Sequence, residues 1–170
     1  MDQHLTQLIP FIVIGFAIVT ALGAIARLLQ RRRPAPYERV EHLFSAAERS
    51  FLGVLDDLFG NDCRILGKIR LGDIIRPRKE LSNSARTSAF NRISGKHVDF
   101  AICDLRTLQV IGVIELDDSS HKSSSRREAD QFVNSALAAA GVPIVRIPAR
   151  RGYSPAEIRE QCSVLFVQNQ

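Results

Sequence analysis

From residue 3 to residue 26 the chain contains no Asp, Glu, Lys or Arg, which excludes an ordinary solvated helix or loop there. Residues 8–26 (LIPFIVIGFAIVTALGAIA) are apolar or small except for Thr20. At about 1.5 Å per residue, a helix of this length nearly spans a hydrocarbon core of about 30 Å, and Leu5 and Leu28 extend it. The run therefore predicts a single membrane span. A cleaved signal peptide is the competing reading, since ALGAIA offers small residues, but the start is MDQH and the arginines follow the run. Arg27, Arg31, Arg32 and Arg33 then place the N-terminus outside and the remainder in the cytoplasm by the positive-inside rule.

Cysteine is also scarce. Cys63, Cys103 and Cys162 are odd in number and widely spaced, which excludes a disulfide framework and a cysteine zinc site. They read as buried thiols of a reducing compartment. No GxGxxG, no P-loop, no GxSxG and no internal repeat occurs, so nucleotide-binding and serine-hydrolase chemistry lose their usual support. Nor is there a strong excess of either charge. The net +5 falls to +2, with 19 basic and 17 acidic residues, once Arg27, Arg31, Arg32, Arg33 and Asp2 are set aside. The positive balance is thus partly a topology signal, and the Arg cluster suits anionic lipid.

The 170 residues predict one domain and an appendage: an anchor with its basic flank over 1–33, a linker over 34–44 opened by Pro34-Ala35-Pro36, and a domain over 45–170. Val40, Leu43, Phe44, Ala47, Phe51, Val54, Leu55 and Leu58 recur at helical spacing, and Gly60 and Asn61 end the pattern. Ser45 and Glu48 have capping-box spacing, which suffices to explain Glu48. Residues 63–71 (CRILGKIRL) alternate, with Ile65, Ile69 and Leu71 facing one way and Arg64, Lys68 and Arg70 the other. Residues 72–95 are polar and mixed, with short helical turns expected at 73–75 and 85–93. Their cations, among them Arg76, Arg78, Lys79, Arg86 and Arg92, suit either a phosphate backbone or a solvated loop.

The most informative stretch is KHVDFAICDLRTLQVIGVIELDDSSHKSSSRREAD, residues 96–130. Strict alternation puts His97, Asp99, Ala101 and Cys103 on one face of a strand, and Val98, Phe100 and Ile102 on the other. A second strand sorts into Ile111, Val113, Glu115 and Asp117 against Val110, Gly112, Ile114 and Leu116. A hairpin turning through Arg106, Thr107 and Leu108 sets Asp99 across from Glu115, so three carboxylates converge. No Lys or Arg lies on that face of either strand. A dry cluster of this kind must protonate, find cations or hold a metal ion. Hard oxygen donors favour Mg²⁺, Mn²⁺ or Ca²⁺. The alternative is that the acids are strand ends facing water.

After a polar break, Ala129, Phe132, Val133, Ala136, Leu137 and Ala140 mark a helix closed by Gly141 and followed by Pro143. Arg126 and Asp130, one turn apart on it, suit a surface ion pair. Residues 144–147 read as a buried strand. Ser154, Pro155 and Glu157 open a last helix whose core face is Ile158, Cys162, Leu165 and Phe166.

The order helix, strand, strand, strand, helix, strand, helix, with Asp99 in the second strand and Glu115-x-Asp117 ending the third, resembles the PD-(D/E)XK nuclease superfamily. The string IELDDSSH (residues 114–121), then Asp130, a helix ending AAG and the strand PIVRI, resembles bacterial membrane-anchored domains of unknown function related to very-short-patch-repair endonucleases. The resemblance covers roughly residues 45–161. It implies an α/β fold: a transmembrane helix, then a restriction-endonuclease-like αβββαβα domain with a mixed four-stranded sheet flanked by helices.

The resemblance further implies an inner-membrane, Mg²⁺- or Mn²⁺-dependent hydrolase of DNA phosphodiesters, without a small-molecule cofactor. Asp99 and Glu115 would ligate the metal near the Leu116 carbonyl, with Asp117 as a further ligand or proton acceptor. Glu48 would orient a ligand or water, His121 and Asp130 would lie beside the scissile phosphate, and Lys122, Arg126 and Arg127 would contact nucleic acid. His121 also fits a surface turn. One departure stands out: Asp117 occupies the place where such nucleases usually carry lysine. Two other readings stay open, a catalytically silent nuclease-fold module holding nucleic acid or a protein at the membrane, and a membrane interaction protein with no nucleic-acid role.

Overall fold

A computed structural model describes residues 3–31, 35–117 and 124–167, with the side chains of 3–7, 30, 31, 125 and 126 outside that description. The chain forms two units that divide between Glu41 and His42.

In the first unit, helix α1 (Gln3–Arg31) contains a stretch, Leu8–Leu29, long and apolar enough to cross a membrane. Its 22 residues extend over about 33 Å at 1.5 Å per residue. Thr20 is the one hydroxyl in the apolar run, and it donates back to the carbonyls of Phe16 and Ala17 at 3.0 and 2.9 Å, so it leaves no free donor.

The second unit begins with α2 (Ala46–Phe59). The periodicity from Val40 onward suggested an earlier start, but Ser45 stops the helix there. The Glu48 amide donates to the Ser45 hydroxyl at 3.3 Å, and the Ser45 amide donates to Glu48 Oε2 at 2.7 Å. Strand β1 (Cys63–Arg70) follows, then an excursion through α3 (Leu71–Ile74) and α4 (Asn83–Ser94). The hairpin of β2 (His97–Asp104) and β3 (Val110–Asp117) comes next. Its turn is held by Asp104 Oδ1, which accepts from the Arg106 amide at 3.1 Å and from the Thr107 amide at 2.6 Å. Helix α5 (Ser124–Ala139) crosses to β4 (Ile144–Pro148), and the chain closes with α6 (Pro155–Cys162) and α7 (Val164–Val167).

The sheet runs in the order β1-β2-β3-β4, antiparallel except for the parallel pair β3/β4. One core joins α2, α6 and α7 to the sheet through Phe51, Leu55, Ile158, Cys162 and Leu165 against Phe100, Ile102 and Ile114. A second core joins α3, α4 and α5 through Leu71, Ile93, Val133 and Leu137 against Val98, Ala101, Cys103 and Val113. Phe51 meets Phe100 edge-on at 5.8 Å and Tyr153 at 4.8 Å between ring centres. The expected buried thiols are present, since Cys63, Cys103 and Cys162 are buried and free. Burial pushes the Cys162 thiol up to about 11.

Strict alternation fails in three strands: in β3, Ile111 packs in the first core and Val113 in the second, beside the register shift at Ile102/Cys103, and β1 and β2 change face near Lys68. Cys63 and Ile65 pack in the first core, but Ile69 and Leu71 pack in the second. The reason is Lys68, whose φ of 55° is left-handed in the middle of β1 and turns the following side chains to the opposite face. Across the register, β2 changes side too: Val98 belongs to the second core and Phe100 to the first.

Gly112 is forced to be glycine by close approach. A Cβ there would lie 2.8 Å from Leu165 Cδ2 and 3.0 Å from the Pro143 carbonyl oxygen. That carbonyl also accepts from the Val113 amide at 2.9 Å and so has little freedom to withdraw. Gly112→Val is therefore expected to destabilise the domain by about 1–3 kcal/mol, measured by urea unfolding. Unchanged stability would contradict this packing.

Candidate functional site

The residues of interest gather where β1 and β3 end and β2 begins. Phe100 pairs with Ile114, so Asp99 and Glu115 are next in the same register. The Leu116 amide donates to Asp99 Oδ2 at 2.9 Å and fixes that carboxylate. Burial, and then the neighbouring Asp99 carboxylate, push Glu115 up to about 8 despite the guanidinium of Arg146. Near neutrality Glu115 thus tends to hold a proton, because two charged carboxylates cannot share so little water.

Neither β2 nor β3 carries a Lys or Arg on this face, and cations reach it from the neighbouring strands β1 and β4 instead. Lys68 from β1 pairs through Nζ with Glu48 Oε1 and lies 3.6 Å from Asp99 Oδ1. Glu48 therefore does two things: Oε2 completes the helix cap and Oε1 takes the lysine. Burial alone would raise the Glu48 carboxyl, but the Lys68 ammonium and the Ser45 hydrogen bonds outweigh it and hold the group below its ordinary value. Burial would likewise lower Lys68, and its two acidic neighbours raise it instead. The left-handed backbone at Lys68 costs about 1–3 kcal/mol for a residue with a Cβ. On the neighbouring residue, a Cβ on Gly67 would lie 2.1 Å from the Phe44 ring, which stacks at 5.7 Å on Phe100.

On the other flank stands Arg146 of β4. The parallel register pairs it with Glu115, and its Nη1 donates to Asp117 Oδ1 at 2.9 Å. The same guanidinium donates to Asn134 Oδ1 from Nε at 3.3 Å and from Nη2 at 3.1 Å, and Nη2 lies 3.8 Å from Asp130 Oδ1. The expected convergence of three carboxylates is thus corrected to a close pair, Asp99 and Glu115, with Asp117 drawn into an ion-pair network. Among the described residues no three His, Cys, Asp or Glu side chains are grouped to hold a metal ion. Asp130 faces Arg146. Whether it also pairs with Arg126 lies outside the described side chains, Arg127 is exposed on α5, and His121 and Lys122 lie outside the described residues.

Residues 40–165 match a family described as "Protein of unknown function (DUF2726)". The chain belongs to that family. No curated protein and no solved structure matches the chain. The DUF2726 region takes in all four strands and Glu48, Lys68, Asp99, Glu115, Asp117, Asp130 and Arg146, while α1 precedes it.

The raised Glu115 carboxyl has a signed consequence for stability. Its value of about 8 in the fold, against an ordinary 4.5, means that the folded chain binds more protons than the unfolded one between those limits. This contribution is fully present below the ordinary value and is lost as pH rises through the folded one. Stability should therefore fall by on the order of 4 kcal/mol across that window in the presence of a chelator, and Glu115→Gln should flatten the slope. Urea unfolding of both proteins at either end of the window measures it, and equal slopes would contradict the assignment.

Proposed function

We propose that this DUF2726 protein is a membrane-anchored, metal-dependent phosphodiesterase of the nuclease type, acting on DNA. The observation that carries the reading is the pair Asp99 and Glu115, crowded so closely that Glu115 keeps its proton well above the ordinary range. Such a pair supplies hard oxygen donors, a fit to Mg²⁺ or Mn²⁺, which are held by one or two carboxylates with water and substrate phosphate filling the rest. The likeness of the element order and of the Asp99, Glu115-x-Asp117 pattern to PD-(D/E)XK nucleases supports the same reading and a restriction-endonuclease-like fold. The span Leu8–Leu29, with Arg27 in its last turn and Arg31, Arg32 and Arg33 after it, supports an inner-membrane anchor with the domain on the cytoplasmic side.

When bound, a divalent ion offers Lewis acidity toward a phosphate oxygen and makes a bound water more acidic. The chain's own residues do the rest. Asp99 is held in one orientation by the Leu116 amide, so Oδ1, which faces Lys68, is preorganised as a donor. In its ionised form Glu115 would hold the ion, so binding would be favoured at higher pH. Glu48 is fixed by the cap of α2 and stands as the next acceptor beside the pair. Asp117 and Asp130, tied to Arg146, brace β3 against β4 and α5.

A second reading is favoured by one observation: Asp117 stands at the usual lysine position and is neutralised by Arg146. On that reading the fold binds nucleic acid or a protein partner at the membrane without turnover.

The full-length chain in detergent should cleave plasmid or single-stranded DNA with Mg²⁺ or Mn²⁺. Asp99→Ala or Glu115→Ala should lower the rate by at least about 100-fold. Absence of cleavage by the parent would contradict the proposal, and steeply salt-dependent binding without turnover would favour the silent module.

A further inference from the structure

We propose that Lys68 is a catalytic residue of this site, whose ammonium contacts the substrate phosphate and offsets the negative charge that grows there. The inference rests on the phosphodiesterase reading and names the side chain that touches the reacting group. Three observations converge on it.

The first is the backbone. Among the described residues only Lys68 and Leu108 combine a side chain with a positive φ, and Leu108 sits in the hairpin turn between β2 and β3, where such geometry is ordinary. Lys68 lies inside a strand, flanked by paired residues on both sides. Glycine would satisfy that conformation without strain, so what a lysine adds at position 68 is its side chain. The strain aims it: the left-handed residue carries the ammonium toward Glu48 and Asp99, away from Arg64 and Arg70, with which plain alternation would group it.

The second is donor arithmetic. An ammonium has three N–H donors. Glu48 Oε1 takes one, and Asp99 Oδ1 at 3.6 Å faces a second. The third has no hydrogen-bond acceptor among the described residues; the ammonium lies over the Phe44 ring, 5.9 Å from its centre, and the side chain keeps 32% of its surface open to solvent. Arg146 is more fully engaged, since its guanidinium makes three hydrogen bonds to Asn134 and Asp117 and also faces Asp130.

The third is position. Register carries Lys68 opposite Asp99, between the pairs Gly67 with Phe100 and Ile69 with Val98. A phosphate oxygen held beside Asp99 would therefore lie near the ammonium, which stands 3.6 Å from Asp99 Oδ1. A charged, directed donor at that place acts on the transition state, while Glu48 acts as the positioning residue that holds the lysine.

The test compares the parent, Lys68→Met and Lys68→Arg as full-length chains in detergent, by steady-state DNA cleavage and by Mn²⁺ titration read by electron paramagnetic resonance. Lys68→Met should lower kcat by about 100-fold with KM changed by less than about threefold, and Lys68→Arg should recover part of the loss. Mn²⁺ affinity should stay equal or rise in Lys68→Met, since the ammonium no longer competes for Asp99. Turnover by Lys68→Met within about threefold of the parent would overturn the inference and leave the phosphodiesterase reading standing. Loss of Mn²⁺ affinity and thermal stability together with turnover would also overturn it, because that pattern marks a lysine needed only to pair the acids. A parent that neither cleaves nucleic acid nor binds Mn²⁺ through Asp99 and Glu115 would remove the underlying reading, and the Lys68 assignment with it.

Discussion

Asp99 and Glu115 stand side by side at the ends of two hydrogen-bonded strands, where burial leaves too little water for both to ionise. Two like charges about 4 Å apart repel by roughly 4 kcal/mol at an effective dielectric of about 20, a large fraction of a small domain's stability. The chain meets this repulsion with a proton on Glu115, an ammonium beside Asp99 and a guanidinium beside Glu115 and Asp117. The rest of the sheet can be understood as what holds these groups together.

Two cores do the holding, one on each face, and the strands change face where the acids begin. Because Lys68 is left-handed, β1 feeds Cys63 and Ile65 to one core and Ile69 to the other. The site therefore sits at a seam between the cores, where a side chain needs to satisfy neither. Glu48 reaches the seam from α2 and Arg146 from β4, so helices and strands on both flanks contribute to it. A strained residue kept at such a seam is the usual mark of a place where stability has been given up for chemistry.

Much of this fold was legible in the sequence. The capping box at Ser45 and Glu48, the hairpin through residues 106–108 and the short β4 all rest on local chemistry, and local chemistry is what a sequence displays. The juxtaposition of Asp99 and Glu115 was legible for the same reason, since a tight turn sets the register of β2 and β3. Lys68 and Arg146 were not. A 26-residue excursion joins β1 to β2, and α5 joins β3 to β4, so neither pairing register could be counted out from a turn. The left-handed residue compounded this, because alternation grouped Lys68 with Arg64 and Arg70 on a solvated face. The apolar period begins ahead of α2 because Phe44, which packs on Phe100 before the cap, continues it.

The central claim is that the carboxylate pair is a divalent cation site, and anomalous scattering tests it most directly. Crystals of the protein soaked in Mn²⁺ should show a peak between Asp99 and Glu115, within bonding distance of an oxygen from each. A Mn²⁺-soaked crystal without a peak there, its Asp99 and Glu115 still sharing a proton between Lys68 and Arg146, would contradict the account.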